Sequence, residues 1–390
     1  MGEQDGQKAA GADMTATSGT RLMSIDAFRG FDMMMIMGFN AMMIALGKWM
    51  YGGDGGWLAN QFRHPEWFGL SFYDTIFPTF LFIAGLSFPF SHAKDVAKGA
   101  TSLQMHGKIF RRAALLVMLG WVVNGVFKVG FAELRYGSVL AKIGIGWMFA
   151  ALAYIHFGRM ARIALCAALI IGYAVLLGTV VAPDHPNASS LSIEGNFIGW
   201  LDRMTMPGTL WQGAVIDGRQ VKNLCEPSGL YANFFASATA MLGCFAGEIV
   251  RSARSGARKA IHLLLLAAGL LLAGAVMTVW MPISKKLWSP SFILCVGAYS
   301  TALFALFYWL VDVLKWRWWT PFFTVIGMNA ITIYLLQRIV DYKKISHFFL
   351  GGVAAHLSPP AGELLLATGY FAACWLTLYF LYRKRTFLKV

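Results

Sequence analysis

Charged side chains are scarce in this sequence and unevenly divided between the two signs. Only 13% of its 390 residues are Asp, Glu, Lys or Arg, whereas 57% are hydrophobic. A soluble domain carries roughly a quarter charged residues, so an ordinary solvated surface is excluded. The 33 basic residues exceed the 19 acidic ones, for a formal net charge of +14. The basic residues lie mainly in alternate segments between apolar runs, which favours membrane topology over a nucleic-acid partner as their explanation.

Other features are missing too. The five cysteines, Cys166, Cys225, Cys244, Cys295 and Cys374, show neither a paired framework nor metal-ligand spacing, so neither disulfides nor a metal is predicted. The alternating pattern of an outer-membrane barrel is absent. Residues 1–20 are small and polar and lack the apolar core of a cleaved signal peptide, so we expect a disordered cytoplasmic tail.

The apolar residues occur in runs of about twenty, the length with which a helix crosses roughly 30 Å of hydrocarbon. The expected spans are 25–47, 71–91, 109–128, 138–157, 162–182, 231–250, 260–280, 291–313, 321–340 and 364–382. The shorter apolar stretch 345–357 is interpreted as interfacial or re-entrant. The sequence therefore predicts an all-α polytopic membrane protein with a bundle of about ten, at most eleven, transmembrane helices.

Orientation follows from the distribution of Lys and Arg between the spans. With the N-terminus inside, the inner segments carry most of these residues, so both termini are predicted to be cytoplasmic. This topology places three segments outside, at about 48–70, 183–230 and 282–290. A single transmembrane domain is expected over residues 21–390.

Two polar groups interrupt the first span. Asp26, Arg29 and Asp32 are spaced by three and share a helix face, where ionisable groups normally face a protein interior or a polar cavity. They are either a structural ion-pair cluster or a site where Arg29 receives an anionic ligand from the cytoplasm. Asn40, in the outer half of the span, is either a contact between helices or a functional amide.

His64 follows the first span near the outer surface, and Asp74 begins the second span ten residues later. An Asp can orient a histidine and stabilise its charged form, as general-base chemistry requires. Histidine suits this task because its unperturbed pKa is about 6.5. A purely structural histidine at the membrane interface is the alternative.

These residues belong to a longer series of motifs. The series comprises the run from Arg21 to Gly30, Asn40, His64 to Gly69, Asp74 to Ser87, Arg111-Arg112, Arg135 to Leu140, Glu226 to Leu230, Gly247-Glu248, Pro282 to Trp288, and Gly327 to Ala330. In this order they resemble the heparan-α-glucosaminide N-acetyltransferase family, and the resemblance extends from about residue 21 to the C-terminus.

The resemblance implies transfer of an acetyl group from cytoplasmic acetyl-CoA to the amino group of a glucosamine-type sugar at the non-cytoplasmic face. It implies that His64 is catalytic, as base or transient acetyl carrier, with Asn40 beside it to bind the acyl oxygen and Asp74 to orient the ring. The residues that it implies for acetyl-CoA are Arg29, Asp26, Arg111, Arg112 and Lys142. Those that it implies for the sugar are Trp67, Glu226, Lys286, Trp288 and Asn329.

The basic cluster of Lys108, Arg111 and Arg112 suits the anionic nucleotide end of acetyl-CoA, although positive-inside anchoring explains it equally well. The chain departs from its relatives at Ala141-Lys142, where they usually read Gln-Arg, and at Ser228, where they often have Glu. The location that the resemblance implies is the bacterial inner membrane, and the implied assembly is a homodimer.

Two functions of other classes fit the same sequence. An amino-sugar permease would accumulate sugar without acetyl-CoA and would be indifferent to His64→Ala. A non-catalytic accessory membrane protein would bind acetyl-CoA without transferring its acetyl group.

Overall fold

The structure is a computed structural model that describes residues 22–216 and 218–388. The expected tail at residues 1–20 lies outside the described residues. The helices are α1 (Met23–Met34), α2 (Asn40–Tyr51), α3 (Gly56–Gln61), α4 (Ile76–Ala97), α5 (Ser102–Val123), α6 (Val126–Val129), α7 (Val139–His156), α8 (Arg159–Thr179), α9 (Phe197–Thr205), α10 (Leu230–Arg251), α11 (Gly256–Met277), α12 (Pro290–Tyr308), α13 (Thr320–Met328), α14 (Ala330–Ile339), α15 (Tyr342–Ala355) and α16 (Pro359–Arg383). The predicted all-α polytopic class is confirmed.

Eight helical segments of the described chain are long and apolar enough to cross a membrane. They are Met23–Tyr51, Phe72–Ala97, Val139–His156, Arg159–Thr179, Leu230–Arg251, Gly256–Met277, Pro290–Val313 and Pro359–Arg383. The pair α13 and α14 would be a ninth span, but it bends by 66° at Asn329. Helix α5 occupies the remaining expected position and has 22 residues, with Lys108, Arg111 and Arg112 inside it.

The stretch expected to be interfacial or re-entrant forms helix α15, whose 14 residues are fewer than one crossing requires. It packs against α16, where Ser346 Oγ donates to the carbonyl of Leu366 at 2.7 Å. The orientation of the termini remains a prediction, because length and composition do not report it.

The centre of the bundle is the contact between α4 and α10. A Cβ atom at Gly85 would lie 1.9 Å from the carbonyl oxygen of Ala240, and one at Gly243 would lie 2.1 Å from that of Phe82. Only glycine permits backbones to approach this closely, which is how helices commonly associate in membranes. The main apolar core surrounds this contact and includes Phe28, Phe292 and Phe304, all fully buried.

The first span is broken between α1 and α2 by a π-helical turn over Met35–Phe39. Gly38 in this turn has a φ of +116°, a conformation that favours glycine. A π-turn adds a residue to the helical repeat and therefore rotates the later part of the helix relative to the earlier part. The turn consequently sets the direction in which α2 and Asn40 face.

The segment expected to be a long external loop at 183–230 is partly ordered into regular structure. It contains α9 and an antiparallel hairpin of β1 (Gln212–Ile216) and β2 (Arg219–Cys225). The side-chain Oδ1 of Asn196 caps α9 by accepting from the amide of Gly199 at 2.6 Å. Beside the hairpin, Arg135 forms an isolated bridge with Gly208, which joins this segment to the residues before α7.

Candidate active site

His64 and Asp74 form a direct hydrogen-bonded pair. Asp74 lies on a single 3₁₀ turn, Phe72–Thr75, that leads into α4. Its Oδ2 accepts from the amide and the hydroxyl of Ser71 at 3.1 and 3.0 Å, which fixes the carboxylate. Its Oδ1 lies 2.6 Å from Nδ1 of His64. If Nδ1 carries the proton of this bond, Nε2 is left as an acceptor, the tautomer that a general base needs.

Lys285 completes this group from the third segment that is predicted to be external. Its Nζ is 3.3 Å from Asp74 Oδ1 and 3.4 Å from His64 Nδ1. Burial lowers the pKa of the Lys285 ammonium, and the neighbouring Asp74 carboxylate opposes that shift. A cation at this position favours the ionised form of Asp74, which in turn orients His64.

Hydrogen bonds between loops hold His64, Asp74 and Lys285 together. The hydroxyl of Ser284 donates to the carbonyl of Trp67 at 2.7 Å, and the amide of Gly69 donates to the carbonyl of Ile283 at 2.8 Å. The indole of Trp67 donates to the carbonyl of Leu191 at 2.8 Å, which adds the long segment that is predicted to be external. All three predicted external segments therefore meet at His64.

These loops enclose a cavity of about 440 Å³, here called the His64 cavity. Its walls combine aromatic rings with cationic side chains. They include His64, Trp67, Tyr73, Asp74, Arg135, Lys142, Trp211, Ser228, Lys285, Lys286, Trp288, Tyr334 and Arg338. An amphipathic wall of this kind suits a sugar, whose faces are apolar and whose edge is polar.

One wall of the cavity is a buried ion pair. Arg135 donates to both carboxylate oxygens of Glu226, at 2.8 and 2.6 Å, and the Glu226 side chain is fully buried. The guanidinium of Arg135 also lies 4.4 Å from the ring centroid of Trp211. Glu226 thus supports the cavity through Arg135 and is not itself a lining residue.

Lys142 and Trp288 form a second wall. Nζ of Lys142 lies 4.0 Å from the centroid of the Trp288 ring and donates to the carbonyl of Pro227 at 2.5 Å. The indole of Trp288 donates to the hydroxyl of Thr239 at 3.3 Å. Both side chains are almost completely buried, so this wall is rigid.

A smaller central cavity of about 150 Å³ adjoins the His64 cavity, and the two share Ile36, Val139 and Tyr334 as lining residues. Arg29 and Arg112 line the central cavity. Arg112 also lines a third cavity of about 340 Å³, here called the basic cavity, together with Lys108 and Arg111. The three cavities are therefore neighbours and lie in a row from the cationic cluster to His64, each sharing wall residues with the next.

The basic cavity offers donors to an anion. The guanidinium of Arg112 lies 4.3 Å from the centroid of the Trp147 ring, and its buried Nε has no hydrogen-bond partner within the described ranges. Lys108 pairs with Asp95 at 2.7 Å. A buried guanidinium donor without a protein partner fits an anionic group such as a phosphate.

Asn40 is not brought into the His64 cavity. It lines a separate cavity of about 1020 Å³ between α2, α15 and α16, whereas Ile36 lines both that cavity and the His64 cavity. In an uninterrupted α-helix Ile36 and Asn40 would share a face, but the π-turn at Gly38 intervenes. The sequence-based expectation that Asn40 lies beside His64 is therefore not supported by the geometry.

Two other expected site residues lie away from these cavities. Asp26 is 3.8 Å from Arg29 within α1 and lines none of the three joined cavities. Asn329 is buried at the bend between α13 and α14, where its Oδ1 accepts from the Thr332 hydroxyl at 3.2 Å. Asn329 therefore fits a structural role in the broken helix better than contact with a sugar.

The structure adds residues to which the sequence assigned no role in the site: Tyr73, Arg135, Trp211, Lys285, Tyr334 and Arg338. Arg338 carried a usable signal, because a cation near the end of an apolar run commonly faces a polar space. The sequence carried no signal that distinguishes Lys285 from Lys286. Across the two described ranges, no three His, Cys, Asp or Glu side chains are grouped as a metal ion requires.

Comparison with known proteins agrees with the resemblance of the motifs. A family described as a domain of unknown function, DUF5009, matches residues 21–131. The chain is 25% identical to heparan-alpha-glucosaminide N-acetyltransferase of Homo sapiens over an alignment of 426 positions, which covers 95% of this chain and 60% of the relative. The Mus musculus protein of the same name is also 25% identical, over 96% of this chain and 61% of its own length. The chain thus spans about 60% of the length of these curated relatives.

Proposed function

We propose that this protein is a transmembrane N-acetyltransferase that moves an acetyl group from cytoplasmic acetyl-CoA to the amino group of a glucosamine-type sugar on the opposite side. The observation that carries the proposal is the row of three cavities from the basic cavity to the His64–Asp74 pair. The similarity to two N-acetyltransferases supports it.

Acetyl-CoA supplies an acyl group on a good leaving thiolate, held at the end of a long flexible arm. Arg111 and Arg112 bind the anionic nucleotide end in the basic cavity, since guanidinium groups recognise phosphates by charge-assisted hydrogen bonds. The narrow central cavity admits the arm and leads it past Val139 and Tyr334 toward His64.

The amino sugar enters the His64 cavity from the external segments. Its amine attacks the thioester carbonyl carbon only when neutral, so Nε2 of His64 takes a proton from the attacking nitrogen. The carbon–sulfur bond breaks as the amide forms, and the thiolate leaves with that proton. Asp74 keeps the ring oriented, and Lys285 holds Asp74 ionised.

The acyl oxygen gains negative charge during the attack and needs a donor in place of Asn40. Lys285 Nζ lies 3.4 Å from the His64 ring, and Tyr334 stands where the central and His64 cavities meet. We assign this role to the Tyr334 hydroxyl, because the thioester must pass it. Glu226 acts only by positioning Arg135.

The experiment uses proteoliposomes loaded with labelled acetyl-CoA and offered glucosamine outside. Wild-type protein should release labelled N-acetylglucosamine, and His64→Ala should abolish it. The matched control is His356→Ala, because His356 is exposed and lines none of the three joined cavities. Transfer that survives His64→Ala excludes the mechanism, and no transfer to any amine excludes the assignment.

The same vesicles separate the competing functions. Glucosamine accumulation in vesicles without acetyl-CoA would identify a permease, and acetyl-CoA binding without transfer an accessory protein. If label stays on the wild-type protein in the absence of acceptor, and does not stay on His64→Ala, then His64 is an acetyl carrier and not a base.

A further inference from the structure

Two histidines that line none of the three joined cavities face each other across helices α5 and α7. Nε2 of His106 lies 2.8 Å from Nε2 of His156, and the two ring centroids are 5.0 Å apart. His156 is exposed and His106 is half-buried, so water reaches both rings. Neither residue takes part in the proposed acetyl transfer, so the pair is available for a different task.

The backbone fixes the tautomer of His106. Its Nδ1 lies 2.7 Å from the carbonyl oxygen of Ser102, one turn earlier in α5. Because a carbonyl oxygen only accepts, Nδ1 carries the proton of the neutral ring and Nε2 keeps a free lone pair. Metal-ligating histidines are commonly oriented in this way, with the other ring nitrogen donating to a backbone carbonyl. Nε2 of His106 is therefore prepared to act as a ligand.

His156 can direct a second lone pair to the same point. In the pair itself, Nε2–H of His156 donates to Nε2 of His106, because two bare nitrogens would repel each other at 2.8 Å. The exposed His156 ring exchanges its proton with water, and Nε2 is bare in the other neutral tautomer. Two imidazole ligands of one tetrahedral metal ion have their nitrogens about 3.3 Å apart. The rings therefore need to separate by only about 0.5 Å to accept a cation.

The two histidines are held by closely packed helices. A Cβ atom at Gly144 of α7 would lie 3.1 Å from the carbonyl oxygen of Ala113 of α5, so the two backbones run close together. Ligands on packed helices are positioned more precisely than ligands on loops. Met105 and Ile155, the chain neighbours of the two histidines, line the basic cavity. The histidine pair therefore joins two walls of that cavity.

The positive charges close to the pair in the chain are compensated. Lys108, two residues after His106, pairs with Asp95 at 2.7 Å. Arg159, three residues after His156, lies 3.8 Å from the Glu248 carboxylate. Both cationic side chains are largely exposed, where salt screens their charge. Repulsion from these groups therefore does not exclude a cation between the two rings.

We propose that His106 and His156 form a reversible binding site for a divalent transition-metal cation, which links α5 to α7 beside the basic cavity. Imidazole nitrogen suits Zn²⁺, Ni²⁺ and Cu²⁺, whereas Mg²⁺ and Ca²⁺ prefer oxygen ligands. In the described parts of the chain no third His, Cys, Asp or Glu joins the pair, so water completes the coordination. Two protein ligands make this an exchangeable site, unlike that of a permanently bound structural metal.

The test titrates Zn²⁺, with Mg²⁺ as the reference, into the purified protein free of added histidines. It is made in detergent at fixed ionic strength and about pH 7.5, where imidazole is mostly neutral. Isothermal titration calorimetry measures binding, and Zn²⁺ should raise the unfolding temperature because it binds the folded state. Amide hydrogen exchange of residues 102–110 should slow with Zn²⁺ and stay unchanged with Mg²⁺.

His106→Gln and His156→Gln should each weaken Zn²⁺ binding by about tenfold or more and abolish the effect on hydrogen exchange. The double variant should lose little more than either single variant, since both substitutions remove ligands of the same cation. The matched control is His262→Gln. Nδ1 of His262 lies 2.6 Å from the carbonyl of Arg258 in α11, the same contact with its own helix, and the ring has no histidine partner among the described residues.

His262→Gln should bind Zn²⁺ as the wild type does, and an equal loss in this control would overturn the site. Binding that is unchanged in both His106→Gln and His156→Gln would overturn it too. Losses that add fully in the double variant would contradict a shared cation, and an equal effect of Mg²⁺ would show unspecific attraction of cations. If one single variant does not fold, the other gives the same readout. These measurements do not depend on acetyl transfer, so failure of the proposed function is distinguished from failure of this site.

Discussion

Nδ1 of His64 lies 2.6 Å from Oδ1 of Asp74, although the two residues belong to different segments of the chain. The Ser71 amide and hydroxyl bind the other carboxylate oxygen of Asp74 and so hold Oδ1 in position for this contact. This geometry leaves only Nε2 of His64 to meet a ligand.

Asp74→Asn should lower the rate of acetyl transfer by about a hundredfold or more with little change in the KM for acetyl-CoA. The amide no longer stabilises the charged ring or enforces the tautomer that keeps Nε2 free. Steady-state kinetics of the purified protein checks this. Asp54→Asn, in the same external segment and exposed, is the control and should be silent; an equal loss in both would contradict the role of Asp74.

Val139→Phe should raise the KM for acetyl-CoA by about tenfold, or block transfer, while the protein still folds. Val139 lines both the central and the His64 cavity, so a larger side chain narrows the passage between them. Ile171→Phe changes an exposed position on α8 and should have no such effect. Normal kinetics for Val139→Phe would show that the donor reaches His64 by another route.

Arg135→Met should destabilise the fold by about 3–5 kcal/mol, because it leaves the buried Glu226 carboxylate without its partner. The double variant Arg135→Met with Glu226→Gln should recover much of the loss, since position 226 then carries no unpaired buried charge. Thermal unfolding in one detergent compares four proteins: the wild type, each single variant and the double variant. Additive losses in the double variant would argue against a direct pair.

Stability should also depend on pH through Asp202 of α9. Burial raises the pKa of its carboxyl to about 8, the Glu226 carboxylate adds to the rise, and Lys142 opposes it. Because the folded state prefers the protonated acid, stability is full below about pH 4 and is lost as pH rises toward 8.

Asp202→Asn should remove this dependence. The unfolding temperature of the variant relative to the wild type should therefore be higher at about pH 8.5 than at about pH 5.5. The difference in unfolding temperature between variant and wild type is compared at the two pH values. Any hydrogen bonds lost in the variant lower both values equally and therefore cancel. A difference that stays constant with pH would show that Asp202 does not titrate in this range.

Gly85→Ala should cost about 1–3 kcal/mol, because its Cβ would lie 1.9 Å from the carbonyl of Ala240 and force α4 from α10. Gly269→Ala is the matched control, since nothing lies within 4 Å of a Cβ at Gly269 in α11. It should be neutral or slightly stabilising. Equal losses at both sites would remove the argument for a close helix contact.

The membrane architecture was largely predictable from residue composition and run length. Apolar runs of about twenty residues can satisfy their backbone groups in lipid only as helices, so the sequence by itself determined the class and most spans. The pairing of His64 with Asp74 was also predicted, because ten residues separate a histidine from an acid at the start of a span.

Only the tertiary structure decided which distant residues meet. No periodic pattern in the sequence predicts the hairpin β1–β2 or the bend at Asn329. The same holds for the contacts of Lys285 and Arg135, which join segments that are far apart in the chain. Asn40 is a residue that the sequence placed beside His64 and the structure does not. A single π-turn at Gly38 changes the helical phase, and run length and composition do not reveal such a turn. The sequence determined what crosses the membrane, and packing between helices and loops decided what faces His64.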